Sequence, residues 1–301
     1  MTILHIRDHG GDGPLLVLLH GAGRSRADWD SVAALLRADH RVLTVDLPGH
    51  GRSPGISPWT LPAVVRCIAD TLDAHDAGRS HDAGGGSEAV LVGHSLGGLA
   101  AVEYARTYPE RTRAAVNLDG FWWGRSAEYP EAERVGERLR SSAGIVAPPE
   151  YIQGQVHHLA RYGIPADLAE SAALAAVQPT AEGAWQTLPA RAAALEMYDE
   201  LDRLGDLGAT RWLHDVERPL LLVQAARPHP PIPSMEWFDD LRTRFGEALT
   251  AELTALSQAR PSITFTRLDA THLMILEAPD AVASLLGGYV RELPALQRQA
   301  G

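Results

Sequence analysis

The chain has 301 residues, of which 45% are hydrophobic, and its formal net charge is −11. This length is enough for one large domain, or for a core that carries an inserted module. All 27 basic residues are arginine and form no basic stripe. Because phosphate binding needs clustered positive charge, nucleic acid is not expected as a partner.

Cys67 is the sole cysteine, so an intrachain disulfide is excluded. The first residues lack the basic and long apolar stretches of a signal peptide. No apolar run approaches the roughly 20 residues that span a bilayer. We therefore expect a cytoplasmic protein without a membrane partner.

Apolar runs typical of buried strands alternate with stretches of helical spacing in the first part of the chain. The predicted elements are, in order, a strand at Thr2–Ile6, a strand at Pro14–Leu19, a helix at Ala27–Arg37, a strand at Val42–Val45 and a helix at Leu61–Leu72. A stretch rich in Gly, Ser and Asp follows at Gly78–Ser87 and predicts a surface loop. The next apolar run begins at Ala89.

The pattern changes after a further predicted strand, Thr112–Leu118. From about Phe121 to His214 the segments are helix-like and broken by Pro and Gly, and no strand is predicted there. The later elements are a strand at Leu220–Gln224, one or two helices within Met235–Ser257, a strand at Ile263–Leu268 and a helix at Pro279–Leu293. This order predicts an α/β core, with a mostly parallel sheet flanked by helices, that is interrupted by a helical insertion.

The apolar run from Ala89 ends in Gly93-His94-Ser95-Leu96-Gly97, and a helix-like stretch follows. Strand, sharp turn and helix are the context that the G-x-S-x-G nucleophile elbow requires. Negative charge developing near Ser95 would meet free backbone N–H groups and the positive end of a helix dipole. Ser95 is therefore the candidate nucleophile.

A serine hydroxyl needs a base to remove its proton, and His272 is the candidate. His272 follows the last predicted strand, so it lies at the same sheet edge as Ser95. His20-Gly21-Ala22-Gly23 follows the second strand, and Asp46-Leu-Pro-Gly-His-Gly-Arg-Ser53 follows the next one.

Together these motifs resemble the α/β-hydrolase superfamily, in the branch with an inserted cap. The resemblance implies an α/β-hydrolase core over 1–121 and 213–301 and a helical cap insertion over 122–212. It also implies an oxyanion hole formed by the backbone N–H groups of Ala22 and Leu96. Dehalogenases and epoxide hydrolases of this type use a carboxylate nucleophile, so Ser95 speaks against both.

The acid that orients His272 is the unusual element. In most superfamily members it follows the strand after the cap, but here that strand ends in Gln224-Ala-Ala-Arg-Pro-His-Pro-Pro-Ile-Pro, without a carboxylate. A subset of capped members places the acid after the strand that follows the elbow helix, where this chain has Asp119. We therefore predict Asp119 as the acid. The alternative is that Asp239 or Asp240 orients His272 while Asp119 caps the first segment of the insertion.

Substrate contacts are predicted from the insertion. Trp122 and Trp123 follow Asp119 directly and suit an apolar or ring-bearing substrate, although anchoring the cap to the core explains them equally well. Of the pair His157-His158, one could contact substrate, and we assign His157. Adjacent residues do not share a helix face, so metal ligation by both is not expected. No zinc-type spacing occurs, and neither a metal nor a cofactor is expected.

These residues predict a cofactor-free serine hydrolase that cleaves a small carboxylic ester or lactone through an acyl-enzyme. The same residues would serve a thioesterase, an acyltransferase or a C–C bond hydrolase. A ligand-binding receptor on a hydrolase scaffold is the non-enzymatic alternative. In each of these interpretations, the expected partner of the protein is a small molecule.

Overall fold

The computed structural model describes residues 1–77, 88–124, 128–208, 210–232 and 235–300, with side chains as far as Leu293. The loop predicted over 78–87 lies outside these residues. None of the described helices is long and apolar enough to cross a membrane.

Ten strands form within the described residues: β1 Ile6–Asp8, β2 Leu15–Leu19, β3 Arg41–Val45, β4 Ala89–His94, β5 Thr112–Leu118, β6 Val146–Ala147, β7 Val177–Pro179, β8 Trp185–Thr187, β9 Leu220–Ala225 and β10 Ile263–Leu268. Seven of them form the central sheet, in the order β1-β3-β2-β4-β5-β9-β10. Only the edge strand β1 runs antiparallel to its neighbour. This architecture confirms the predicted α/β class with a mostly parallel sheet.

The described α-helices are α1 Asp30–Leu36, α2 Leu61–Ala77, α3 Leu96–Thr107, α4 Ala132–Ser142, α5 Tyr151–Ala160, α6 Ala166–Ala175, α7 Arg191–Gly205, α8 Glu236–Ala259, α9 Met274–Glu277 and α10 Pro279–Ala300. Helices cover both faces of the sheet, and strand β2 shows why. Leu16 and Leu18 pack in one cluster with residues of α1 and α10, whereas Val17 and Leu19 pack in another with α2 and α3. Side chains of a strand alternate between its faces, so a strand of five leucines and valines is buried on both sides.

The segment between β5 and β9 contains α4 to α7 and, against expectation, a small antiparallel sheet in the order β6-β8-β7. The prediction that this segment contains no strand was wrong. Each of these strands has only two or three residues, which is too short for alternation to be visible. The pairing of β6 with β8 also joins residues that are distant in sequence, such as Val146 and Gln186.

The parallel strands bring several loops to one edge of the central sheet. Ser95 follows β4 directly, Asp119 follows β5 directly, and His272 comes shortly after β10. The loop that begins at His20 follows β2. Because the carboxyl ends of parallel strands meet at one edge, these residues share one side of the molecule.

Candidate active site

The turn at Ser95 has a strained backbone that depends on its neighbouring glycines. Ser95 has a φ of 54° and a ψ of −121°, a backbone conformation that residues other than glycine rarely adopt. A Cβ at Gly93 would lie 1.8 Å from the carbonyl oxygen of Gly97, and one at Gly97 would lie 2.2 Å from that of Leu19. Both positions therefore need glycine. Strain of this kind concentrates at functional sites, because the surrounding structure must hold it in place.

Asp119 is hydrogen-bonded to His272. Its Oδ2 lies 2.7 Å from His272 Nδ1, and the two side chains are 18% and 30% exposed. Among the described residues, Ser95 and Asp119 are the two non-glycine residues with positive φ, at 54° each. The alternative acid Asp239 instead accepts a hydrogen bond from Arg242 at 2.5 Å. The geometry therefore places Asp119 at the imidazole.

The turn after β5 fixes the Asp119 carboxylate. Asn117 accepts from the Gly120 N–H at 2.7 Å and donates to the Gly120 carbonyl at 2.9 Å, which closes the turn around Asp119. Asp119 Oδ1 accepts from the Ala225 N–H at 2.9 Å. Burial opposes ionisation, but the hydrogen bond and charge of His272 and the Ala225 N–H hold the pKa of Asp119 below its usual value.

Two further groups hold the backbone around His272. His94 Nε2 donates to the His272 carbonyl at 2.6 Å, and the two rings lie 4.7 Å apart. Burial and the nearby His272 lower the pKa of His94 to about 3, so it acts as a neutral donor. On the other side, the Glu277 carboxylate accepts from the Thr271 N–H at 2.9 Å and from the Thr271 hydroxyl. Sequence reasoning did not predict this role for His94 and did not mention Glu277.

The loop 20–23 lies directly against Ser95. A Cβ at Gly21 would come within 3.2 Å of Ser95 Cβ. Within the described part of the chain, neither the Ala22 nor the Leu96 N–H donates a hydrogen bond. Leu96 is the first residue of α3, where such N–H groups have no partner within the helix. Their role as oxyanion donors stays a prediction.

Two buried histidines shape this loop. His20 Nε2 accepts from the Leu47 N–H at 2.9 Å, so Nδ1 donates to the Gly21 carbonyl at 2.8 Å. His50 Nε2 accepts from the Gly23 N–H at 3.1 Å, and its Nδ1 donates to the Pro48 carbonyl. Burial lowers the pKa of His20 to about 4 and that of His50 to about 3. Both rings are neutral, and neutrality is what allows each to donate and accept at once.

Ser95 and His272 share the sheet edge without a direct hydrogen bond. Over the described ranges, the bonds of His272 run from its ring to Asp119 and from its carbonyl to His94, and none joins it to the Ser95 hydroxyl. Catalytic hydrogen bonds in enzymes often tighten only when substrate is bound.

Trp122 and Trp123 pack against helix α7 of the insertion and helix α8 of the core, respectively. Their rings stack at 4.6 Å. Trp122 Nε1 donates to Asp202 of α7 at 2.8 Å, and Trp123 lies edge-on to Phe245 of α8 at 5.6 Å. These contacts account for both rings as packing residues. Their contact with substrate stays a prediction.

Of the two adjacent histidines on α5, it is His158 whose contacts lead toward His272. Both His157 and His158 are exposed. The rings of His158 and Tyr162 lie 5.3 Å apart, the Tyr162 hydroxyl lies 3.0 Å from His229 Nδ1, and the rings of His229 and His272 lie 5.9 Å apart. Sequence reasoning missed Tyr162 and His229. The one available signal was that His229 lies in the loop that carries the acid in most members of the resembled superfamily.

Among the described residues, no group of three or more His, Cys, Asp or Glu side chains could hold a metal ion. The groups that meet at this sheet edge are a serine, an imidazole, a carboxylate and backbone N–H groups. Such a set can activate a hydroxyl and stabilise an oxyanion.

Comparison with known proteins gives partial sequence relatives and whole-chain structural neighbours. The chain is 33% identical over 151 residues to Lipase LipV of Mycobacterium tuberculosis, over 50% of each protein. It is 38% identical over 135 residues to a 2-hydroxy-6-oxononadienedioate/2-hydroxy-6-oxononatrienedioate hydrolase of Burkholderia vietnamiensis, over 42% of this chain and 43% of that one. The chain thus spans about half the length of these curated relatives.

The crystal structure of E-2-(acetamidomethylene)succinate hydrolase superposes on 96% of this chain and 95% of its own, with a TM-score of 0.70 and 22% identity. At 22% identity, this similarity shows a shared fold only. The model of the alpha/beta hydrolase family matches residues 16–285, from strand β2 to helix α10. The strained serine turn after β4 and the histidine after β10 both lie within that range, and the chain belongs to the alpha/beta hydrolase family.

Proposed function

We propose that the protein is a serine hydrolase that cleaves a small carboxylic ester or lactone through an acyl-enzyme. The observation that carries the proposal is the 2.7 Å hydrogen bond between Asp119 and His272. It lies at the sheet edge where Ser95 occupies its strained turn. A nucleophile, a base and a group that orients the base are the three parts that such catalysis needs.

In the proposed reaction, His272 takes the proton of Ser95 while the Ser95 oxygen attacks the acyl carbon. Asp119 keeps the Nδ1 proton of His272 in place and stabilises the imidazolium that forms. The N–H groups of Ala22 and Leu96 donate to the oxyanion. His272 then protonates the leaving oxygen, and a water molecule repeats the sequence on the acyl-enzyme.

C–C bond hydrolysis is a second candidate, because the hydroxy-oxo-dienedioate in the name of one relative, at 38% identity, contains no ester bond that a hydrolase could cleave. The same base and oxyanion donors would serve both reactions. Comparing the rates on p-nitrophenyl esters, acyl thioesters and a vinylogous diketone separates these chemistries. We expect the ester to be turned over fastest.

Ser95→Ala tests the nucleophile. We expect turnover to fall by ~10³-fold or more with little change in substrate binding, because the hydroxyl acts only in the chemical step. Ser284→Ala, at an exposed position on α10, is the matched control and should retain full activity.

A fluorophosphonate should label the wild-type protein and the control but not Ser95→Ala. Full turnover by Ser95→Ala would refute the assignment. Tight binding of a small ligand without labelling or turnover would support the receptor alternative instead.

A further inference from the structure

A further imidazole lies close to the candidate base. His229, in the loop between β9 and α8, brings its ring centroid to 5.9 Å from that of His272 at a tilt of 51°. Its Nδ1 is bonded to the Tyr162 hydroxyl at 3.0 Å. Among the described residues its Nε2 has no partner, and this atom is not sealed from solvent.

The Tyr162 hydroxyl and His229 Nδ1 can each be the donor, depending on the tautomer of His229, and we take the phenol as the donor. A neutral imidazole carries one N–H, so a phenol O–H that donates to Nδ1 leaves that proton on Nε2. Burial, together with the charges of His272 and Arg242, lowers the pKa of His229 to about 3, so the ring is neutral near pH 7.

The position of His229 shows which part of a substrate it would meet. The oxyanion donors Ala22 and Leu96 hold the acyl oxygen in the proposed reaction, whereas His272 hands its proton to the leaving oxygen. His229 flanks His272. A group that reaches His229 therefore belongs to the leaving alcohol, a few bonds beyond the ester oxygen.

Resting on the proposed ester hydrolysis, we propose that His229 is a specificity-determining residue, whose Nε2–H donates a hydrogen bond to an oxygen acceptor on the leaving alcohol. Tyr162 is the positioning residue that holds the His229 ring. The favoured substrates are esters whose alcohol part carries an ether, hydroxyl or carbonyl oxygen.

The test compares two esters of the same shape. 2-Methoxyethyl butyrate and n-butyl butyrate differ by one ether oxygen in place of a methylene group. For the wild type and for His229→Phe, kcat/KM is measured on both, and the ratio between the esters is compared so that intrinsic reactivity cancels. We expect the ratio to fall about 5-fold in His229→Phe, the value of one neutral hydrogen bond.

Three variants control this comparison. His214→Phe makes the same substitution at an exposed position near the start of β9, at the opposite sheet edge, and should leave the ratio unchanged. Tyr162→Phe should lower the ratio about twofold, because it removes only the support of Nδ1. His229→Gln retains an amide donor and should restore part of the preference. An equal fall for both esters, or no change in the ratio, would overturn the proposal.

A binding measurement separates this inference from the proposed function. In the Ser95→Ala background, calorimetry gives Kd for both esters with and without His229→Phe. The preference for the ether ester should fall by the same factor of about 5. If the wild type hydrolyses neither these esters nor p-nitrophenyl esters or lactones, the proposed function fails, and the ratio of Kd values alone decides the role of His229.

Discussion

Asp119→Asn removes the charge that faces the candidate base and leaves the shape of the side chain unchanged. With 2.7 Å between Asp119 Oδ2 and His272 Nδ1, the attraction of carboxylate to imidazolium is about 6 kcal/mol at an effective dielectric of ~20. Each 1.36 kcal/mol is a factor of ten in rate. Asparagine retains a polar contact to the ring, so we expect kcat to fall by about 10³- to 10⁴-fold.

The fold should tolerate this substitution. An asparagine Oδ1 can still accept from the Ala225 N–H, which lies 2.9 Å from the carboxylate oxygen. The Asn117 bonds that close the turn do not involve the Asp119 side chain. The assay is therefore kcat on p-nitrophenyl butyrate, accompanied by the melting temperature of each variant.

Asp240→Asn is the matched control, because Asp240 is exposed on α8 and was an alternative acid. We expect its kcat to lie within twofold of the wild type. The reasoning is wrong if Asp119→Asn retains more than a tenth of wild-type kcat. It is equally wrong if Asp240→Asn loses as much activity as Asp119→Asn.

Two further predictions concern stability. Gly97→Ala should lower the free energy of unfolding by more than ~3 kcal/mol, since the new Cβ would lie 2.2 Å from the Leu19 carbonyl oxygen. Gly154→Ala on α5, where a Cβ would meet no atom within 4 Å, should raise the free energy of unfolding by about 0.5–1 kcal/mol. Equal changes in the free energy of unfolding for the two variants, measured by urea unfolding, would contradict this prediction. His20 and His50 have folded pKa values of about 4 and 3, below the unfolded value near 6.5, so the unfolded state takes up protons first. Stability should be full above pH ~6.5 and fall as pH drops toward 4, with these two groups contributing about 2.7 kcal/mol per pH unit. His50→Gln should lower the measured slope by about 1.4 kcal/mol per pH unit, the share of one group, and an unchanged slope would refute the assignment.

Much of the core could be predicted from local pattern. The strands predicted at Thr112–Leu118 and Ile263–Leu268 match β5 and β10 residue for residue. Both are bounded by turn signals and are long enough for an apolar run to be recognised. The first strand was predicted at Thr2–Ile6 but lies at Ile6–Asp8. As an edge strand, it takes its bounds from pairing with β3.

The contacts that position the candidate base could not be predicted in this way. The His94 bond to the His272 carbonyl joins residues 178 positions apart in sequence. The bond from the Asp119 carboxylate to His272 spans 153 positions. No periodicity records such contacts, because they depend on how loops from different strands meet at the sheet edge. Motif order could place Ser95 and His272 at one edge, and the family resemblance pointed to Asp119, but neither indicated His94 or Glu277 beside the base.

The choice of base among the histidines follows from their environments rather than from residue type. Around Ser95, the described histidines His20, His94 and His229 have pKa values lowered to between about 3 and 4, chiefly by burial. Each uses a ring nitrogen to hold another part of the site. His272 differs from these three because its Nδ1 faces a carboxylate. A carboxylate is the kind of partner that stabilises an imidazolium. In the sequence these histidines are chemically alike. The turn at Asp119 places a carboxylate at His272, and that contact distinguishes His272 as the candidate base.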